Sequence, residues 1–473
     1  MSKNLEMPFK MVIGGDLYAG VGALEVINPA TGRPFASAPL ADASTVDRAV
    51  AAAKSAFPAW AARGFSGRRA LLVRLADMFE ARADEVARLL TQEQGKPLDQ
   101  ARFEVGASVA ALRYFAEQTL EDRILRDTAN ERIVEQRYPL GTVVSITPWN
   151  FPVLLLIFKI APALIAGNVV IAKPAPTTPL TTLLIGELAS AVLPAGVFQT
   201  IVDRNDLGSV LTEHPGVDHV SFTGSATTGK KVLASTGKSL KRVALELGGN
   251  DAAIVLDDAD VETIAPRIFE GAMMNAGQIC LAVKRVYAPQ AMLDELCAVL
   301  GRLAKSASVG DGLQQGNTIG PVQNKAQFDK LLGLLDDARR NGKIVAGGNR
   351  IEGNGYFIQP TIVRDVAENS RIVTEEQFGP ILPVIGYDDL NEAIAKANDS
   401  DYGLGGTVWT SNPDRGIEVA SRIETGLVWI NKFLDLPFDV PVSGAKQSGS
   451  GRQLGIESIE EFTQARIVNA ALA

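Results

Sequence analysis

The sequence predicts an α/β protein built on parallel β-sheets, and two observations carry that reading. From residue 141 to 256, short apolar runs alternate with amphipathic helical segments, the pattern of a parallel sheet covered by helices on both faces. A second α/β stretch follows at about 260–430, in a chain of 473 residues that is too long for one ordinary domain. In chain order, helices are expected at 42–57 and 66–90. In the latter, Leu71, Leu75, Met78 and Phe79 recur at helical spacing between Arg68, Arg69, Arg74 and Asp77. Gly95-Lys96-Pro97 breaks that helix, and another covers 98–117. Residues 132–137 and 141–147 read as strands. Strands at 143–146, 169–172, 198–202, 219–222 and 241–245 then alternate with helices at 153–166, 179–192, 206–213 and 226–236. The second region has helices at 261–275 and 291–305 and strands at 283–287, 407–409 and 427–430. A short helix from Gly455 and a strand at 465–469 close the chain.

Composition narrows the function. Hydrophobic residues make up 46% and charged residues 21%, with a net charge of −8 spread along the chain. No dense basic face is available to bind a nucleic-acid backbone. The most apolar stretch, 151–172, is interrupted by Pro152, Lys159, Pro162, Gly167 and Asn168, so it reads as a buried helix and strand and not as a membrane span. Residues 1–10 carry no long apolar run of a leader. Two cysteines in so long a chain are not a disulfide scaffold, and a reducing compartment, the cytoplasm, is expected. The two histidines, His214 and His219, lack ligand neighbours and read as a turn residue and a structural residue. Most His-dependent mechanisms and His-ligated metal sites are thereby removed.

Four segments carry chemistry. In Asn275-Ala276-Gly277-Gln278-Ile279-Cys280, a thiol follows a glycine-containing loop. Cys297, in the helical phase of Leu293-Asp294-Glu295-Leu296-Cys297, reads as core. In Leu245-Glu246-Leu247-Gly248-Gly249-Asn250, a carboxylate ends an apolar strand, where desolvation raises its pKa toward a general base's range; a turn-capping role is equally compatible. In Thr147-Pro148-Trp149-Asn150-Phe151-Pro152, an amide is held between two prolines and could donate to an oxyanion or serve the turn. In Ser221-Phe222-Thr223-Gly224-Ser225-Ala226-Thr227-Thr228-Gly229-Lys230-Lys231, glycines follow a strand and open a helix, a setting for phosphate. Lys231 occupies the hydroxyl position of a Walker A loop, which disfavours an NTPase.

Together these segments resemble the aldehyde dehydrogenase superfamily from about Asn28 to Val468, and Cys280 follows Glu246 at the family's spacing. Lys173-Pro174, Glu375-Glu376-Gln377-Phe378-Gly379-Pro380 and Lys446-Gln447-Ser448-Gly449 also match. The resemblance implies a cofactor domain (1–117 and 138–246), a catalytic domain (247–455) and an oligomerisation extension (118–137 and 456–473) in a dimer or tetramer. It implies that Cys280 attacks the aldehyde carbon, that Asn150 and the Cys280 N–H hold the oxyanion, and that hydride leaves to nicotinamide. Glu246 then activates water to hydrolyse the thioester, without metal. Lys173 is implied to contact the adenosine ribose, Gly224 and Ser225 the pyrophosphate, and Glu376 the nicotinamide ribose, with Phe378 near the ring. Thr147, Pro148, Trp149, Leu247 and Gly248 complete the implied cofactor site.

Three departures from the family pattern stand out. NAD is expected, but Pro176 lies where many NAD-preferring members carry a Glu that would repel a 2′-phosphate, so NADP is also admitted. Val442 replaces an aromatic wall residue, and Gln453 stands where many members have Glu, on an auxiliary proton path. The aligned tunnel positions Phe151, Leu155, Phe158, Ile279, Leu281, Phe433 and Leu436 are apolar, implying a medium-chain or aromatic aldehyde. A CoA-acylating enzyme and a non-catalytic, crystallin-like scaffold are the alternatives; retention of Glu246 opposes the first, and of Cys280, Glu246 and Asn150 the second.

Overall fold

The computed structural model describes residues 9–472. Residues 1–8, most of the segment read for a leader, and residue 473 lie outside the described residues. Two large sheets organise the rest. The first runs in the order Gly449–Ser450, Arg242–Glu246, His219–Thr223, Thr142–Ile146, Val169–Lys173 and Phe198–Thr200. Its strands are parallel except Gly449–Ser450, which returns antiparallel along Leu245 and Glu246. The chain thus comes back from the C-terminal half to the edge of the first sheet. The second sheet runs Lys343–Ala346, Thr361–Arg364, Ile381–Tyr387, Arg285–Pro289, Ala252–Val255, Gly405–Trp409 and Leu427–Ile430. Only Lys343–Ala346 is antiparallel there. A three-stranded antiparallel sheet of Thr463–Ala471, Glu131–Pro139 and Arg123–Asp127 stands apart from both.

The central strands Thr142–Ile146 and Val169–Lys173 are buried at every position, as expected where helices cover both faces. The apolar stretch 151–172 becomes the helix Leu154–Ala166, ended by left-handed Gly167, and the strand Val169–Lys173. Helix Ala43–Ala61 starts at a capping box, Asp42 with Thr45, and continues past Pro58, beyond the expected end at 57. The single helix expected at 66–90 is two, Gly64–Ala81 and Ala83–Gln94, because the backbone leaves helical geometry at Arg82. The hairpin Gly22–Asn28 with Arg33–Leu40 and the strands Thr361–Arg364 and Ile381–Tyr387 carry no periodicity that the sequence reading singled out. Among the described residues no helix is long and apolar enough to cross a membrane.

Candidate active site

Cys280 sits beyond a strained turn. Helix Val261–Met273 gives way to the turn Met274–Gly277, where Asn275, Ala276 and Gly277 take φ of 52°, 54° and 71°. Gly277 is required, since a Cβ there would lie 2.3 Å from the carbonyl oxygen of Gly379. The left-handed non-glycine residues are unfavourable by themselves and are held by neighbours. The Asn275 N–H donates to Gln100 Oε1 (3.0 Å), and its Nδ2 donates to the Asn150 carbonyl (3.1 Å). Gln278 Nε2 donates to the Asn275 carbonyl (2.8 Å), and Gln278 Oε1 accepts from the Gln323 N–H (2.8 Å). Lys284 Nζ donates to the carbonyls of Ile279 (2.9 Å) and Cys280 (2.6 Å). These clamps are side chains that the sequence reading did not single out.

Asn150 follows the carboxyl end of strand Thr142–Ile146 and is 3% exposed. Its Nδ2 donates to the Gln278 carbonyl at 3.0 Å, which ties it to the Cys280 loop. Beneath it lies a wholly buried ion pair of Lys96 with Glu104. Lys96 Nζ donates to the Asn150 carbonyl (2.9 Å) and lies 3.7 Å from the centre of the Phe151 ring. Glu104 accepts the N–H groups of Val153 (2.9 Å) and Leu154 (3.1 Å), at the start of helix Leu154–Ala166. Lys96, read only as part of a helix break, is therefore a support of Asn150.

Glu246 ends the strand Arg242–Glu246, with its carbonyl accepting from the Gly224 N–H at 3.0 Å. Burial pushes its carboxyl well above the ordinary range; Lys159 opposes this and Glu461 adds to it. Lys159, buried and donating to Ser221 Oγ at 3.1 Å, is pushed down by the same burial. Burial also drives the Cys280 thiol up to about 12 and Asp251 up to about 6, with Lys284 opposing in both cases.

Cys280 and Asn150 belong to the walls of two cavities. The first, about 200 Å³, is also lined by the expected cofactor residues Pro148, Trp149, Gly224, Ser225, Leu247, Gly248, Glu376 and Phe378. Ser225 caps helix Ala226–Thr236, its hydroxyl accepting from the Thr228 N–H. Trp149 and Phe378 meet edge to face at 5.3 Å. Glu376 Oε1 accepts from the Gly249 N–H at 2.9 Å, and a Cβ on Gly248 would lie 2.5 Å from Glu376 Oε2. Gln327 and Lys330 line this cavity too and were not foreseen. Two expected cofactor residues are not in its wall. Thr147 is buried, its N–H donating to the Lys173 carbonyl (3.0 Å). Lys173 pairs with buried Asp203 at 2.7 Å.

The second cavity, about 380 Å³, is mostly apolar and is lined by Phe151, Leu155, Phe158, Ile279, Leu281 and Leu436, with Glu246 in the same wall. Phe433 departs from expectation: it does not line the cavity but packs on Gly271 with the second core. Phe438 and Phe103 line the cavity instead, Phe103 being 61% exposed. Neither carries a sequence signal that separates it from core or surface. His219 is buried against Phe462 with its ring centroid 5.0 Å away, and burial lowers its pKa to about 3. His214 accepts from the Gly216 N–H at 2.9 Å within a turn.

Residues 19–468 match the model of the aldehyde dehydrogenase family. Geranial dehydrogenase of Castellaniella defragrans is 39% identical over 451 residues, covering 94% of each chain. Phenylacetaldehyde dehydrogenase of Pseudomonas fluorescens is 38% identical, covering 98% of this chain and 96% of its own. Among solved structures, the NAD+ complex of an aldehyde dehydrogenase from Bacillus cereus superposes with a TM-score of 0.97 at 33% identity, covering 99% of this chain and 98% of that one.

Proposed function

The chain belongs to the aldehyde dehydrogenase family, and from that premise we propose that it oxidises apolar, medium-chain or aromatic aldehydes to carboxylic acids with NAD, through a thioester on Cys280. The observation that carries this is the position of Cys280, in the wall of both cavities. A thiol so placed can meet an aldehyde on one side and a cofactor on the other.

The residues of the smaller cavity fit a dinucleotide. Ser225 and Gly224 stand before a helix N-terminus, which favours phosphate, and Glu376 offers a carboxylate to ribose hydroxyls. Gly248 leaves room for that carboxylate. When bound, NAD supplies the acceptor for the hydride that the aldehyde carbon gives up. A structural relative is in complex with NAD+, which supports that cofactor.

The chain's own residues account for the rest. Cys280 attacks as the thiolate, its proton having passed to solvent, and its sulfur bonds to the carbonyl carbon. The oxygen becomes an oxyanion that Asn150 Nδ2 and the Cys280 N–H stabilise. Loss of hydride converts the thiohemiacetal to a thioester. Glu246 then takes a proton from water, whose oxygen bonds to the acyl carbon, and the C–S bond breaks to release the acid and restore the thiol. Burial suits Glu246 to this work, because a carboxylate of raised pKa is a stronger base near neutral pH.

The relatives named for geranial and phenylacetaldehyde, and the apolar lining, support an apolar substrate. Ile124, Leu125, Ile467 and Val468 are exposed on the three-stranded sheet, which supports a homo-oligomer with a second copy over that surface. The free thiols Cys280 and Cys297 suit a reducing compartment such as the cytoplasm. Absorbance at the NADH band, with a panel of alkyl, aromatic and charged aldehydes and both NAD and NADP, tests the proposal. Turnover of apolar aldehydes with NAD is expected; preference for a charged semialdehyde, or no reduction with either cofactor, would reject it.

A further inference from the structure

Among the side chains that clamp the Cys280 turn, Lys284 alone carries a charge. Its backbone is fixed from two sides: its N–H donates to the Asp251 carbonyl (3.0 Å), and its carbonyl accepts from Gln377 Nε2 (3.2 Å). The side chain is 2% exposed and folds back, so that Nζ donates to the carbonyls of Ile279 (2.9 Å) and Cys280 (2.6 Å). Glu376 Oε1 lies farther off, at 3.9 Å. Desolvating an ammonium there is costly, and carbonyl acceptors offset the cost only in part. A neutral amide would close the turn as well. The Ile279 carbonyl and the Cys280 N–H are the two ends of one planar peptide. At the oxygen end, Ile279 also accepts from the Ala282 N–H (3.2 Å). At the other end, the Cys280 N–H bonds to no backbone carbonyl among the described residues. A cation on the oxygen of an amide holds its plane and draws electron density from its N–H, which becomes a stronger donor.

We propose that Lys284 is a positioning residue for the oxyanion: through the Ile279 carbonyl it orients and polarises the peptide whose other end, the Cys280 N–H, donates to the substrate oxygen. This rests on the thioester reading above. Lys284 touches neither substrate nor thiol in this role; it acts through the peptide. Asn150, the second oxyanion donor, is tied to the same turn one peptide earlier, its Nδ2 donating to the Gln278 carbonyl at 3.0 Å. The charge of Lys284 also favours the Cys280 thiolate, against burial and the carboxyls of Asp251, Glu246 and Glu376. The effect on the thiol and the effect on the oxyanion are separable, because only one of them needs a substrate oxygen.

Alkylation of Cys280 by iodoacetamide consumes the thiolate without forming an oxyanion, whereas kcat/KM for an aldehyde needs both. The two second-order rates are compared at one pH, with NAD present, in wild type and Lys284→Met. Alkylation is expected to fall about tenfold, as the thiolate loses a neighbouring cation. The aldehyde kcat/KM is expected to fall about 100-fold or more, so that the ratio of the two rates drops about tenfold or more. The acyl-enzyme of Glu246→Gln gives a second readout, the infrared stretch of its thioester carbonyl. Adding Lys284→Met is expected to move that band to higher frequency, because a weaker donor polarises the carbonyl less. The proposal is overturned if alkylation and kcat/KM fall by the same factor, if neither falls, or if the carbonyl band stays in place. Should Lys284→Met not fold, Lys284→Gln keeps a donor without the charge and is read by the same ratio and band. Absence of turnover with every aldehyde in wild type would instead overturn the functional reading beneath it.

Discussion

The loop around Cys280 and the helix around Cys297 hold the same side chain in two settings. Burial pushes both thiols up, to about 12 and about 11, so resting acidity does not tell them apart. Access and company do. Cys297 is 2% exposed within helix Leu293–Ser306 and packs into the second core. Cys280 borders two cavities, with Asn150 in both walls and Glu246 in one. Its loop is reached through three successive left-handed residues held by side-chain amides and Lys284. Backbone strain is concentrated where the thiol must be presented, whereas Cys297 needs only helical geometry.

The largest effect that sharpens this comparison is Cys280→Ala, expected to lower aldehyde turnover by about four orders of magnitude or more. Cys297→Ala is expected to keep turnover and to cost about 1 kcal/mol in denaturant unfolding. Equal losses from the two would break the comparison. Next comes Glu246→Gln, expected to lower kcat by about 10²–10⁴-fold while one equivalent of NADH still forms in a rapid burst. The pH dependence follows from the same groups. Burial favours protonated Glu246 and protonated Cys280, and the working forms are the carboxylate and the thiolate. Turnover should therefore rise as pH increases from about 6 toward 9, and a flat profile would count against both roles. Smaller again is Lys96→Met, which leaves Glu104 buried without its cation. It is expected to cost about 3–5 kcal/mol of stability and to lower kcat through Asn150, with KM changed less. Normal unfolding and normal kcat would remove Lys96 from its supporting role.

Much of this was legible in the sequence, for reasons that differ by residue. The parallel sheet was readable because 169–172 is continuously apolar and 143–146 is apolar but for Ser145, and buried strands need no polar face. Cys280, Glu246 and Asn150 were readable because each lies in a short segment with glycine or proline punctuation. The cofactor cleft was readable at Ser225 and Glu376, yet Lys173 and Thr147 lie outside its wall. The supports were not legible. Lys96 and Glu104 meet only because a helix break and a following helix are brought under residues 150–154. Phe433 was placed in the tunnel by alignment, whereas the loop turns it onto Gly271 and presents Leu434, Leu436 and Phe438. Which of several neighbouring apolar residues faces a cavity depends on loop conformation, which composition does not encode.

The claim that Cys280 carries the acyl group is tested most directly by mass spectrometry of Glu246→Gln, acid-quenched after mixing with NAD and an apolar aldehyde that the wild type turns over. The expected result is an increase equal to one acyl group, located by peptide mapping on the peptide containing Cys280 and absent without NAD. An acyl group on Cys297, or no adduct alongside a full burst of NADH, would contradict it.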